Sequence, residues 1–485
     1  MGDKIVREHP DVSVSYHITN SKADMDTSMI ISNSGPVGMF TKDISKKIIN
    51  GEFDLAIHSW KDLPIEPSEE TEIIGTLERG DIRDVLLIKS ETVSLKEKDE
   101  IEIFTSSPRR KYNLAKILHD FIPLQFKSLK FSDVRGNIET RLKKFKSSEA
   151  DMIVLAKVAL DRLIEYGDRE LRDYIKNILS DNNWLILPLS VFPTAPGQGA
   201  IAIEAKKNRP RLTEIIKEIN CSNTFTSVTK EKKILFSYGG GCHQSIGVSI
   251  WMQNNVRFQS LKGKTDRGEP LHYLGSIDEP VKDIVKIDSK KMYPLKKDKS
   301  IFNRLQIDNK KRITNITNSI VYFSRKNVLD NCEVLHHSNI LWTSGVDCWK
   351  YAVKNGYWIN GTSDSFGEKQ NMNIKNFMPS EYDSYKISHD KASSKIYRLI
   401  SAYRIIANED HLKNLDLTDK THFFWMSPLQ FDKVIEFHPY LINKNHSCGF
   451  GKTYNHLKTN LPYDAEITRF FSYQHWLDFY QIGAE

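Results

Sequence analysis

Two stretches that lie far apart in the chain carry side chains suited to acid catalysis and to covalent attachment. HSWKDLP (58–64) follows a short apolar segment typical of a buried strand, and its turn presents Lys61 and Asp62 side by side. Far downstream, FSYGGGCHQSIGVSI (236–250) places Cys242 after three glycines and before an apolar strand. A carboxyl group can protonate a leaving group, and a thiolate is a soft nucleophile. Asp62 is therefore the candidate acid and Cys242 the candidate attachment point; the plainer alternatives are a surface carboxylate and a small buried thiol.

Three segments between these stretches are rich in hydrogen-bond donors, namely TSSPRRK (105–111), DVRGNIETRL (133–142) and APGQGAIAIE (195–204). Guanidinium groups bind carboxylates through paired hydrogen bonds, and a helix that starts at Pro108 favours anions at its first turn. A solvated basic face is the plainer interpretation of adjacent arginines. The candidate carboxylate-binding residues are Ser59, Ser106, Ser107, Arg109, Arg110, Arg135, Arg141, Gln198 and Gly199, the last two mainly as backbone that lines a cleft.

The composition limits the kinds of protein that this chain can be. It has 485 residues, of which 39% are hydrophobic and 27% charged, with a net charge of +7. No apolar run approaches the roughly 18 residues that span a bilayer, and no signal peptide precedes the first strand. The five cysteines are scattered, which argues against a disulfide framework and a CxxC metal site. We expect a cytoplasmic monomer with no metal and with neither nucleic acid nor membrane as a partner.

The elements that must position these side chains follow an α/β pattern. Buried strands such as EFDLAIHS (52–59) and DMIVLA (151–156) alternate with helices such as the one after Thr41, and residues 11–19 alternate like a further strand. This pattern predicts two doubly wound lobes that are joined by two strands, a geometry that suits a hinged cleft between the lobes. We expect lobe 1 at 1–88 and 186–207, lobe 2 at 89–185, a small α+β domain with Cys242 at 208–290, a linker at 291–314 and an α/β domain at 315–485.

In this order, the five segments resemble hydroxymethylbilane synthase, also called porphobilinogen deaminase, over residues 35 to about 250. The resemblance implies hinged lobes like those of periplasmic binding proteins. It implies porphobilinogen as substrate, a pyrrole with two carboxylates and an aminomethyl arm, four of which join with loss of ammonia. Asp62 would help ammonia leave and stabilise the resulting cation, Lys61 would pair with a carboxylate, and the arginines would hold others. Cys242 would carry a dipyrromethane cofactor through a thioether.

Lobe 1 departs from that family's pattern. The chain begins at what looks like the end of the family's first helix, so we expect lobe 1 to be truncated and to lack a strand and a loop with an arginine and a serine. Pro36-Val37-Gly38 stands where the family has Gly-Lys-Gly, and the third domain looks shortened. An inactive chain that still binds anionic ligands between two lobes is therefore the alternative function, because fold alone does not decide activity.

The C-terminal segment, 315–485, loosely resembles uroporphyrinogen-III synthase. The residues that suggest it are SRK, TSGVDCW, FWMSPLQF and CGFGKT. This resemblance implies that the segment closes hydroxymethylbilane to uroporphyrinogen III, which would make the chain bifunctional. The residues leave both a working and a non-working synthase open.

Overall fold

The computed structural model describes residues 1–18, 42–66, 68–240, 244–277 and 286–480, and the chain divides into two compact units. Unit 1 comprises residues 1–119, 124–278 and 373–379, and unit 2 comprises residues 120–123, 279–372 and 380–485. The predicted α/β class is confirmed, since both units combine helices with sheets. Thr41, Cys242 and the segment 36–38 lie outside the described residues.

The first lobe of unit 1 is built on a three-stranded antiparallel sheet. Its central strand is Ile201–Lys206, flanked by Leu55–Ser59 and Thr71–Thr76. Helix Lys42–Ile49 packs on this sheet, and helix Gly2–Glu8 packs on a helix of the third domain. The strand predicted at 11–19 is wrong over its described part, because residues 12–18 pair with no strand and Ile18 is 95% exposed.

The second lobe has a mixed five-stranded sheet. Its strands, in spatial order, are Gln125–Ser132, Glu97–Phe104, Met152–Ala156, Asp84–Lys89 and Asn182–Ile186. The first three run parallel, and Asp84–Lys89 is antiparallel to both of its neighbours. The lobe boundary predicted at residue 88 is therefore too late by one strand, since a buried apolar run such as VLLI shows burial without showing which sheet it joins. The helices of this lobe are Ser90–Ser94, Pro108–Phe121, Ile138–Ser147, Lys157–Tyr166 and Arg169–Asp181.

The chain passes between these two lobes twice, through residues 77–83 and 187–200, as the sequence predicts for a two-lobed cleft. The third part of unit 1 contains helices Pro210–Ile219 and Ser222–Ser237 and an antiparallel sheet of Gly247–Gln253, Val256–Lys264 and Pro270–Ser276. Pro210 occupies the first turn of its helix, where its missing N–H costs nothing. Helix Ser222–Ser237 packs on strand Gly247–Gln253 and leads into Gly239 and Gly240.

Unit 2 contains two sheets. In the first sheet, the strand Phe302–Gln306 is antiparallel to its neighbour, and the other described strands run parallel to one another. Its strands, in spatial order, are Phe302–Gln306, Arg398–Ala407, Asp383–His389, Ser319–Phe323, Ile340–Thr343 and Gly361–Thr362. The second sheet is all parallel, and its strands, in spatial order, are Met292–Tyr293, His422–Trp425, Asn445–Cys448 and Ile467–Arg469. The helices of unit 2 are Lys310–Thr314, Val346–Lys354, Glu409–Lys413, Pro428–Phe437, Lys452–Asn460 and Tyr473–Phe479.

The segment 291–314, predicted as a linker, is instead part of both sheets of unit 2. Tyr293 pairs with Phe423 in one sheet, and Phe302 pairs with Ala407 in the other. Its many lysines indicate a solvated face correctly, but charged residues at alternate positions are also compatible with an edge strand, where one face meets water.

Candidate active site

The turn that carries the candidate acid packs against the backbone of the loop that contains Gly197. Strand Leu55–Ser59 leads into a short 3-10 turn, Trp60–Asp62. The Trp60 side chain is buried against Phe225, and the Trp60 backbone N–H donates to the carbonyl of Ala200 at 3.0 Å. Gly197 has φ +79, and a Cβ placed there would lie 3.1 Å from the Lys61 nitrogen. This close backbone contact requires glycine and leaves Asp62 exposed at the rim of a cavity.

The cavity has a volume of about 680 Å³ and lies where the two lobes and the third domain of unit 1 meet. Among the described residues, one part of its lining is cationic and is made by Lys61, Arg109, Arg110, Arg141 and Lys232. Another part is apolar and includes Leu63, Ile65, Val134, Leu235, Phe236 and Ile246. Such a site suits a ligand with flat apolar faces and anionic edges.

The two adjacent arginines line this cavity, and both are also bound to a buried carboxylate that sequence reasoning missed. Arg109 Nη2 donates to Asp84 Oδ2 at 2.7 Å, and Arg110 Nη2 donates to Asp84 Oδ1 at 2.6 Å. Gln198 donates to the same Oδ1 at 3.0 Å and to the Ile82 carbonyl at 2.6 Å. Arg109 and Arg110 therefore line the cavity with half of their combined charge already compensated by Asp84.

These neighbours change the pKa values of the charged groups. Burial acts to raise the pKa of Asp84, but the Arg110 and Arg109 guanidiniums outweigh it and hold that pKa well below its usual range. Burial lowers the pKa of Lys61, and the field of Arg110 adds to this effect while Asp62 opposes it. Burial also lowers the pKa of Arg141, as does Arg110. The pKa directions indicate a crowded cationic site that favours anions.

The other predicted site residues differ in their distance from the cavity. Arg141 lines it and donates from Nε to the Gly136 carbonyl at 2.7 Å. Ser106 and Ser107 also line it; Ser106 Oγ bonds the backbone of Val134 at 3.0 and 3.1 Å, and Ser107 Oγ accepts from the Arg110 N–H. Arg135 and Ser59 are exposed outside the described lining, and Gly199 packs against the Gly80 backbone instead.

A second buried carboxylate, Glu231, ties the third domain to the floor of the cavity. It is fully buried and forms two 2.8 Å hydrogen bonds with Arg79. It also accepts from the Gly197 N–H at 2.8 Å and from the Ile250 N–H at 2.6 Å. The next residue, Lys232, donates to the Leu63 carbonyl at 2.8 Å, directly after the acid.

A sequence signal for Glu231 exists. Val228, Glu231 and Leu235 recur at helical spacing, and all three are buried, so the glutamate lies on the apolar face of helix Ser222–Ser237. A charged residue on such a face is nearly always paired. The sequence indicates the burial of Asp84 less clearly, because Asp84 is the first residue of an apolar strand, and a residue at a strand end is often exposed.

The metal and membrane predictions concern absences. Within the described ranges, no group of three or more His, Cys, Asp and Glu side chains could hold a metal ion. Over the same residues, every helix is too short or too polar to cross a bilayer. The proposed attachment residue Cys242 lies outside the described ranges, as does its dipyrromethane linkage.

A family model and curated relatives give the same family. A family model described as "Porphobilinogen deaminase, dipyromethane cofactor binding domain" matches residues 2–214. A porphobilinogen deaminase of Clostridium novyi is 33% identical over 54% of this chain and 82% of its own length. One of Caldicellulosiruptor saccharolyticus is 37% identical over 47% of this chain and 71% of its own. Among solved structures, the periplasmic VFT2 domain of Bordetella pertussis BvgS matches 41% of this chain and 72% of its own at 13% identity and a TM-score of 0.19.

Proposed function

This chain belongs to the porphobilinogen deaminase family, and from that premise we propose that it joins four porphobilinogen molecules into hydroxymethylbilane. It is a transferase that uses a dipyrromethane cofactor in tetrapyrrole biosynthesis. The observation that carries the proposal is the position of Asp62, an exposed carboxylate at the rim of a cavity lined by cations.

The residues present fit a cofactor and substrate that carry several carboxylates. Arg109 is 4% exposed, and its Nε has no hydrogen-bond partner among the described residues although the side chain lines the cavity. Together with Arg110 and the single Asp84 carboxylate, it leaves a net positive charge at the cavity wall, which favours a ligand carboxylate. Arg110, Arg141 and Lys61 would hold further carboxylates. When bound, the dipyrromethane supplies the pyrrole carbon at which chain growth begins.

Asp62 is positioned to assist the departure of ammonia. As the substrate C–N bond breaks, the electron pair goes to nitrogen, and the carboxyl group of Asp62 supplies a proton to it. The carboxylate that remains lies beside the substrate cation and stabilises it until a pyrrole carbon attacks. The carboxylate then takes up the proton that this carbon loses, which restores the acid. The backbone clamp of Gly197 and the ammonium of Lys232 keep the turn fixed while the charge changes.

We propose Cys242 as the point of covalent attachment. Gly240 starts the loop that leads to it, and a Cβ on Gly240 would lie 3.4 Å from Ile65 Cδ1, a cavity residue three positions after Asp62. The beginning of the cysteine loop is therefore close to the acid turn. The soft nucleophilicity of a thiolate suits a bond to a pyrrole methylene.

Intact-mass measurement and turnover test these assignments. The purified chain should carry a covalent adduct that Cys242→Ala removes, and it should consume porphobilinogen. Asp62→Asn should lose roughly 10²–10⁴-fold in turnover while keeping the adduct. Asp99→Asn is the matched control, because Asp99 is exposed and pairs with Lys127, which lies on the edge strand Gln125–Ser132 of the five-stranded sheet. An unmodified chain that binds porphobilinogen without consuming it would support the non-catalytic alternative.

We further propose that unit 2 closes hydroxymethylbilane to uroporphyrinogen III. Its parallel strands Ile340–Thr343 and Asn445–Cys448 belong to different sheets, and each leads into a glycine turn and a helix. Both turns approach Ser365, since a Cβ on Gly345 would lie 2.9 Å from the Ser365 Oγ and a Cβ on Gly451 would lie 4.0 Å from the Ser365 carbonyl oxygen. Ligands of open α/β sheets bind at such carboxyl ends. Incubation with porphobilinogen should give the type III isomer, and type I alone would exclude a working synthase.

A further inference from the structure

We propose that Asp84 is a positioning residue that presents Arg109 and Arg110 to the cavity as a pre-arranged subsite for one ligand carboxylate. The proposal deepens the proposed function and rests on it for the identity of the ligand. It follows from the geometry of one buried carboxylate and two guanidinium groups, which are hydrogen-bonded to one another and to backbone carbonyls.

The contacts of Asp84 fix both arginines at once. Arg110 donates twice, from Nη2 at 2.6 Å and from Nε at 3.3 Å, and Arg109 donates once at 2.7 Å. The Nη1 atoms of both arginines are hydrogen-bonded as well. Arg109 Nη1 donates to the Pro193 carbonyl at 2.8 Å, and Arg110 Nη1 donates to the Val154 carbonyl at 3.0 Å. Neither side chain therefore has to be ordered when a ligand arrives, which removes an entropic cost of binding.

The charges determine how many carboxylates the subsite takes. Two guanidiniums and one Asp84 carboxylate leave a single positive charge at the cavity wall, with the Arg109 Nε still lacking a partner. One ligand carboxylate then neutralises the group. Without Asp84, two adjacent cations would repel each other in the empty site and would hold an incoming carboxylate more tightly.

Asp84→Asn should lower the stability of the protein and increase its stabilisation by an added carboxylate. The empty protein should become less stable, because a buried pair of cations has lost its counter-charge. The same variant should respond more strongly to an added carboxylate, because the ligand replaces the lost group. A residue that only supports the fold would lower stability without changing the response to ligand.

The experiment compares thermal unfolding in sodium propionate and in sodium chloride at matched ionic strength. In chloride, Asp84→Asn should melt roughly 5–10 °C below the wild type, and propionate should recover about half of that loss. Asp151→Asn is the control, since Asp151 is 2% exposed in the same lobe and lies away from the cavity. It bonds Thr92 at 2.8 Å and the Glu102 N–H at 2.9 Å. Its cationic partner at 2.5 Å, Lys98, is 34% exposed and therefore stays solvated when the charge of Asp151 is removed. This variant should lose stability with no recovery in propionate. An equal response of the two variants, or an unchanged melting temperature in Asp84→Asn, overturns the proposal.

Steady-state kinetics give a second signature. In Asp84→Asn, both KM for porphobilinogen and kcat should fall, because carboxylates are held too tightly for the chain to advance. If Asp84→Asn does not fold, Arg109→Met serves instead, since it leaves Asp84 paired with Arg110 alone. That neutral pair should raise KM roughly tenfold to hundredfold, and an unchanged KM contradicts the proposal. A wild type that consumes no porphobilinogen would refute the proposed function, yet the propionate comparison would still test Asp84.

Discussion

Glu231→Gln should destabilise unit 1 more than most single substitutions of a side chain by its isostere. The change keeps the shape of the side chain but removes the charge that faces Arg79, whose side chain is only 10% exposed. The amide can accept from the Gly197 N–H or from the Ile250 N–H, but its NH₂ group cannot accept from the other. A buried guanidinium and one backbone donor therefore lose their acceptor together.

The magnitude follows from these contacts. Breaking a buried ion pair by removing one charge costs about 3–5 kcal/mol, a large share of the 5–15 kcal/mol that stabilises a typical domain. Helix Ser222–Ser237 carries Glu231 and should open with the pair. Since about 1.4 kcal/mol corresponds to a factor of ten, hydrogen exchange in this helix should accelerate roughly a hundredfold to several thousandfold.

Hydrogen–deuterium exchange with mass spectrometry measures this effect peptide by peptide. Peptides from 222–237 should exchange faster in Glu231→Gln, while peptides of unit 2 keep the wild-type rate. Glu436→Gln is the matched control, because Glu436 pairs with Lys433 at the surface at 2.6 Å and should change stability by less than about 0.5 kcal/mol. A double-mutant cycle with Arg79→Met should give a coupling of at least about 2 kcal/mol. Additive effects in that cycle would refute the pairing argument.

Three further predictions concern pH, a turn and the thiols. Burial acts to raise the pKa of Asp81, but Arg83 outweighs it and holds that pKa at about 2, so Asp81→Asn should cost about 2 kcal/mol at pH 7. That stabilisation is present above about pH 4, and urea titrations should show it vanish as the pH falls to about 2. Gly197→Ala should cut turnover and stability by displacing the acid turn, whereas Gly268→Ala, at φ +85 with nothing within 4 Å of a Cβ, should leave turnover unchanged. Burial raises the pKa of three thiols to about 12, so peptide mass spectrometry should find them unalkylated in the native protein at pH 8 and alkylated after denaturation. They are Cys332, Cys348 and Cys448.

The sequence predicts those parts of unit 1 whose determinants are local. The turn at Asp62, the helix that begins at Pro108 and the helix that ends near Phe236 all follow from short patterns of capping, proline and apolar spacing. The return crossing through residues 187–200 also follows, because a strand end and a glycine-rich turn mark it in the sequence, whereas the first crossing lies one strand earlier than predicted.

The partners of the charged residues could not be predicted in the same way. Asp84 lies 25 residues from Arg109, and Glu231 lies 152 residues from Arg79. A single sequence shows that a carboxylate stands on an apolar face, but it does not show which cation the fold brings to it. For the same reason, the arginines of 109–110 look free in the sequence, although the structure gives them an internal counter-charge.

Helix Ser222–Ser237 connects the acid with the start of the cysteine loop through Glu231 and Lys232, two of the four consecutive charged residues at 230–233. Glu231 holds the loop of Gly197 on which the acid turn rests, and Lys232 holds the carbonyl that follows Asp62. One and a half turns later the same helix ends, and Gly240 follows close to Ile65, since a Cβ on Gly240 would lie 3.4 Å from Ile65 Cδ1. Because both contacts belong to one rigid element, a displacement of the helix moves the acid and the loop together and preserves their separation. A substitution at Gly239 or Gly240 should move the cysteine loop without moving the acid. It should therefore impair turnover more than a comparable change in the helix.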